Sequence, residues 1–253
     1  MNIGWRAILC SVLLGTLIGV SSALFFLESA FGNKISADKS SSLQKNNVPK
    51  TQSGQKNVPV NPALEVPIFN VETDEDARAI LEALLEMPPE TVRSIPLILV
   101  RTDSEHFESE KDVAHTHSDG WICLLSQYFG IETKPTVWHE ATHARLIELG
   151  DKFLEKCAEA SGGTEAYRQY SNNQRFPHNG FLWRRSTISC HENYAFLAEA
   201  IYRETVLNDK TLTAVLKKAD ARTKELNLEN VRMLLEGKIV SMEMFNKIEP
   251  LFK

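Results

Sequence analysis

His139 and His143 stand four residues apart and enclose a carboxylate in the stretch His139-Glu140-Ala141-Thr142-His143. On a helix, residues at that spacing lie about 40° apart around the axis, so both imidazoles face one point in space. Two neutral imidazoles aimed at one point can hold a divalent metal such as zinc. A glutamate beside them is placed to act as general base on a metal-bound water. Three fixed residues in five also occur by chance in ordinary amphipathic helices. The surroundings favour the metal reading: Val137 and Trp138 before the motif, and Leu146, Ile147 and Leu149 after it, supply the apolar faces a helix must bury to hold ligands rigidly.

A catalytic zinc takes three protein ligands and keeps one position open. A third histidine on the same helix would require Gly at position 146 and His at 149. The residues there are Leu146 and Leu149, which exclude that extension. A carboxylate from a later helix is the alternative, and residues 190–200 (CHENYAFLAEA) offer Glu192. At these two segments the chain resembles the gluzincin metallopeptidases, in which a glutamate on a later helix completes the site. More narrowly, Glu192-Asn193-Tyr194-Ala195, with Ala198-Glu199 beyond it, is similar to the E-x-x-A segment of the anthrax lethal-factor type. The resemblance covers residues 136–149 and 190–205.

The resemblance implies a zincin-like catalytic domain with one Zn2+ held by His139, His143 and Glu192. It implies peptide-bond hydrolysis by a zinc-bound water that Glu140 activates, with a peptide or protein as substrate. In that family an acidic residue often follows the glutamate ligand by one turn; here the position is Phe196. Glu199, two turns on and nearly on the same face, is left to orient a ligand histidine or to be the ligand itself. The family also places a tyrosine two turns before the ligand, where this chain has Arg185. Arg185, His178, His191 and Tyr194 are therefore all candidate donors to a developing oxyanion. For His191 and Tyr194, capping and packing are equally good readings. An edge strand ahead of the metal helix commonly aligns substrate in zincins, and by resemblance residues 121–125 are expected to be that strand.

His115 and His117 alternate along the chain, and alternate residues on a strand share a face, which raises a second metal site. Histidines at a strand end are more often solvated or substrate-facing, and a single ion is expected.

The elements that must position these groups are legible in the patterning. Residues 74–87 (DEDARAILEALLEM) begin acidic, carry apolar residues at helical spacing and stop before Pro88-Pro89, which predicts a helix. Residues 95–100 and 121–125 read as strands, the second entered through Ser118-Asp119-Gly120. The metal helix is expected to start after Pro135. Beyond it, helices are expected at 151–160, 190–205, 209–226, 229–235 and 242–248, with a break at Gly162-Gly163 and a loop over 171–186. A few strands ahead of the metal helix and helices after it make an α+β fold.

The whole chain has 253 residues, of which 43% are hydrophobic and 24% charged, with a formal net charge of -5. Its basic residues are scattered without aromatic interleaving, so no nucleic-acid partner is expected. Residues 8–27 are almost uninterruptedly apolar and long enough to cross a bilayer. They predict a membrane anchor or secretory signal within residues 1–32, with the catalytic part outside the cytoplasm. Residues 33–62, rich in Ser, Lys, Asn, Gln and Pro, bury too little apolar surface to order and read as a tether. The folded domain is expected at 63–253. Cys123, Cys157 and Cys190 match no metal-binding spacing, and Cys157 with Cys190 is a possible pair. Two further functional readings stand beside the peptidase: a non-catalytic, zinc-stabilised binding module tethered to a membrane, and an amidase using the same water chemistry.

Overall fold

Helix α1 (Asp74–Glu86) starts where the sequence says it should. The Thr73 hydroxyl accepts the Asp76 amide at 3.1 Å, and three acidic residues occupy the positive first turn. Its apolar stripe buries Ile80, Ala83 and Leu84. The structure, a computed structural model, describes residues 61–102, 113–163, 177 and 180–253. The apolar run at 8–27, nearly all of the polar segment behind it, and His178 lie outside these residues. Among the described residues no helix is long and apolar enough to cross a membrane.

One strand of a four-stranded sheet precedes α1; a short helix α2 (Pro89–Arg93) and the other three strands follow it, and then six further helices among the described residues. The strands are β1 (Ile68–Phe69), β2 (Ile98–Arg101), β3 (Ala114–Thr116) and β4 (Ile122–Leu125), in the spatial order β1-β2-β4-β3. β1, β2 and β4 run parallel, and β3 lies antiparallel along β4 with His115 opposite Cys123 and Thr116 opposite Ile122. A turn closes the β3–β4 hairpin, with the Gly120 amide donating to the His117 carbonyl at 2.8 Å. Gly120 sits at φ +87°, and a Cβ there would come within 3.1 Å of the Ser94 carbonyl, so both backbone conformation and space call for glycine.

Helix α3 (Thr133–Leu149) carries the two histidines, and α5 (Cys190–Thr205) is its largest packing partner, followed by α1. Gly150, at φ 74°, ends α3 with its amide on the Leu146 carbonyl and turns directly into α4 (Asp151–Ala160). Helices α6 (Thr211–Leu216), α7 (Ala221–Glu236) and α8 (Met242–Ile248) complete the described fold. The core runs from the sheet through α3 and α5 into this helical half, with Ile98, Ile122, Leu146, Leu197, Ile201 and Leu234 all buried. Burial of each such side chain contributes about 1.5–3 kcal/mol. The result is the expected α+β fold with a mainly helical C-terminal half.

Four expectations need correction. α3 begins at Thr133, because Pro135 falls in the first turn, where a missing amide hydrogen leaves no helical bond unmade. The helices expected at 209–226 and 229–235 are Thr211–Leu216 and Ala221–Glu236. The second starts at Asp220, whose side chain caps the Thr223 amide at 2.6 Å. Asn227, which falls between the two expected helices, lies inside the second and donates to the Thr223 and Gly180 carbonyls. The strand at residues 122–125 is not an edge, since it pairs with β2 on one side and β3 on the other. The edge beside it is β3.

Candidate metal centre

Residues His139 and His143 project from α3 toward the start of α5. Their Nε2 atoms lie 3.2 Å apart, and the Glu192 carboxylate stands 3.6 Å from His139 Nε2 and 3.5 Å from His143 Nε2. Four ligands at the usual zinc bond lengths of about 2.0–2.1 Å have tetrahedral edges of about 3.3 Å. The three protein atoms therefore fit one ion with little adjustment. Among the described residues this is the one group of three or more His, Cys, Asp or Glu side chains whose ligand atoms converge so. Such a group could hold a metal ion.

Local sequence explains how Glu192 comes to be there. Ser189 caps α5, its hydroxyl accepting the Glu192 amide at 3.2 Å. Ser189-Cys190-His191-Glu192 has the spacing of a capping box, in which the glutamate would reach back to the capping residue. Here the carboxylate is turned toward the two histidines. The cap fixes the backbone of the third helical residue and so sets where the ligand begins its reach.

Glu199 lies on the same face of α5 two turns later, with Oε2 at 3.2 Å from His139 Nδ1. It orients the ring from behind and leaves Nε2 for an ion. Arg203 holds Glu199 in turn, with Nε 2.9 Å and Nη2 2.8 Å from Oε1, and also pairs with Glu132 just ahead of α3. Sequence reasoning included Glu199 and missed Arg203, which its position one turn after Glu199 could have signalled.

Glu140 is 6% exposed, and the Thr116 hydroxyl of β3 lies 2.7 Å from its Oε2 and 2.9 Å from its backbone carbonyl. The edge strand thus reaches the candidate base through one side chain. No spacing rule in the sequence ties Thr116 to Glu140, because only the register of β3 on β4 brings them together. Two aromatic contacts frame His139 and its neighbour: Phe196 meets the His139 ring edge-on at 4.6 Å, and Trp138 stacks on Tyr202 at 4.8 Å, locking α3 to α5.

The electrostatics favour a cation. Burial opposes protonation of His139, but its bonds to Glu192 and Glu199, with the charge of Glu140, raise its pKa to about 10. Burial likewise opposes ionisation of Glu192, yet the two imidazoles hold its carboxyl well below the usual range. A proton on His139 thus stands where a metal's positive charge would act.

The candidate oxyanion donors divide. The Tyr194 side chain is fully buried, its hydroxyl 3.0 Å from the Cys157 carbonyl and 2.9 Å from Asn230 Oδ1, so it is a packed residue. Arg185 is exposed in a short turn ahead of α5. His191 stacks beside His143 with ring centroids 6.0 Å apart, and burial together with the nearby His143 pushes its pKa down. His178 lies outside the described residues. Cys157 and Cys190 are not joined in a disulfide.

No protein-family model, no curated protein and no solved structure matches this chain, so the reading of the site rests on its own residues.

Proposed function

We propose that the chain is a zinc-dependent metallopeptidase with a zincin-like catalytic domain of the gluzincin type. The observation that carries this reading is the convergence of His139, His143 and Glu192 on one point with Glu140 adjacent on α3. His139, His143 and Glu192 would hold the ion. When bound there, zinc supplies Lewis acidity, making a water more acidic and a carbonyl more electrophilic.

The chain's own residues do the rest. Glu140 takes the proton of the attacking water and delivers it to the leaving nitrogen. Thr116 fixes the carboxylate for that transfer through its 2.7 Å contact. Glu199 and Arg203 keep the His139 ring aligned. His191, the described candidate closest to the ligands, donates from a neutral imidazole to the charge developing on the carbonyl oxygen. The edge strand β3 offers its backbone to an extended peptide. The apolar run at 8–27 would tether this domain to a membrane on the extracytoplasmic side.

Metal content and cleavage of a peptide library, measured in parallel for wild type and Glu140→Gln, test the proposal. Zinc retained in both with cleavage confined to wild type supports it. Equal cleavage by the two proteins defeats it, and zinc binding without any cleavage points to a binding module.

A further inference from the structure

We propose that His115 and His117 form a second metal site, for an imidazole-preferring divalent transition ion, on the face of β3 opposite Thr116. Thr116 turns toward Glu140 on α3, and strand alternation sends His115 to the other side; His117, the first residue past the strand, has its amide on the Trp121 carbonyl at 2.9 Å and meets His115 there. Side chains two apart on a strand start about 7 Å from each other. These two nevertheless bend together until their Nε2 atoms are 2.6 Å apart, with ring centroids at 4.4 Å.

Two imidazole nitrogens that converge this way share either a proton or an ion. A proton between them is what an ion would displace, as at His139 and His143, whose Nε2 atoms stand 3.2 Å apart. Coordination at bond lengths of about 2.0 Å asks for a separation of about 2.8–3.3 Å, depending on geometry, so the pair must open by a few tenths of an ångström. His117 lies flat on Trp121, with centroids 3.4 Å apart and planes 13° from parallel, and the His115 ring is 6.3 Å from the same indole and more steeply inclined. The stack on Trp121 holds His117 in place as a ligand. Both histidines are half-buried, which shields the rings without sealing them from water.

The donors select the ion. Two imidazoles suit copper(II), nickel(II) and zinc, and copper(II) binds such nitrogen sites most tightly. Water can reach the half-buried pair to fill positions that the imidazoles leave. The inference rests on β3 and its hairpin and is independent of the reading of the first site.

The test uses the full chain, loaded with zinc at the first site and titrated with copper(II). Electron paramagnetic resonance is expected to show one further ion per chain with two nitrogen ligands. His115→Ala and His117→Ala should each weaken that binding by about 10–100-fold, at least the cost of removing an outer partner of a ligand, with the zinc content unchanged. Equal copper affinity in wild type and both variants would overturn the proposal. If either variant misfolds, imidazole NMR of the wild type replaces it: substoichiometric copper should broaden His115 and His117 first. Broadening that begins at other histidines would overturn it as well.

Discussion

His139 Nδ1 lies 3.2 Å from Glu199 Oε2, and Arg203 grips the other oxygen of that carboxylate. The chain of contacts runs along one face of α5, so the helix that supplies Glu192 to the site also aims one of the histidines it meets. Removing the carboxylate in Glu199→Gln should lower zinc affinity about 10–100-fold while leaving the fold intact. Competition with a chelator of known affinity measures this. Arg203→Met should give a smaller loss in the same direction, because Glu199 then keeps its histidine and loses its tether.

Glu140 and Glu192 should separate cleanly. Glu140→Gln is expected to keep its zinc and to lose about 10²–10⁴-fold in kcat. Glu192→Gln is expected to lose zinc first and activity as a consequence. Metal analysis beside steady-state kinetics distinguishes them, and full zinc retention in Glu192→Gln would remove that residue from the ligand set.

Thr116→Val keeps the volume and shape of the side chain and deletes its hydroxyl. Loss of the contact to Glu140 should reduce kcat about tenfold, with zinc content and KM unchanged. Thr116→Ser should restore most of the activity. A kcat that coincides with wild type in the valine variant would mean that the contact does not set the base.

The pH dependence of the metal-free protein follows from His139. Its folded pKa of about 10 lies above the ordinary 6.5, so the stabilisation it gives is fully present below about pH 6.5 and is lost as pH rises through 10. Glu192, held below its ordinary 4.5, contributes in the opposite sense, and its share is lost only in strong acid. Thermal unfolding in chelator should therefore show a falling midpoint from neutral to alkaline pH, and His139→Gln should flatten that decline.

Tyr194 gives a structural control. Tyr194→Phe removes one donor from Asn230 Oδ1 and the Cys157 carbonyl, both of which Ser161 also serves, and should destabilise the protein by about 0.5–1.5 kcal/mol. Denaturant titration measures the loss, and kcat for the folded variant should match wild type.

The parts of the site that lie along one helix are legible in the amino-acid sequence alone. His139, Glu140 and His143 follow from their spacing on an apolar-periodic run, and Glu192 from resemblance. The bounds of α5 and α8 are those expected, since Ser189 and Ser241 give clear starts. What the sequence hides depends on partners distant along the chain. β3 has only three residues and no alternating apolar pattern, so nothing local announces an edge strand or its contact with Glu140. The edge expected by resemblance falls instead at residues 121–125, the apolar run just ahead of the metal helix. Burial on both faces is the physical reason it is apolar, and it is also the reason it cannot be an edge. The boundary between α6 and α7 carries no glycine or proline, only the capping Asp220, and so leaves little mark on the pattern.

Two ligands from α3 and one from α5 also have a topological meaning. Any ion held jointly by His143 and Glu192 closes a chain loop of about fifty residues, and the chain-entropy relation for a cross-link of that span gives about 4 kcal/mol taken from the unfolded ensemble. Such an ion would be a removable staple between the sheet-bearing half of the fold and its helical half. A protease acting between the two ligands would then cut the chain while the ion, together with the packing of α3 on α5, keeps the pieces joined.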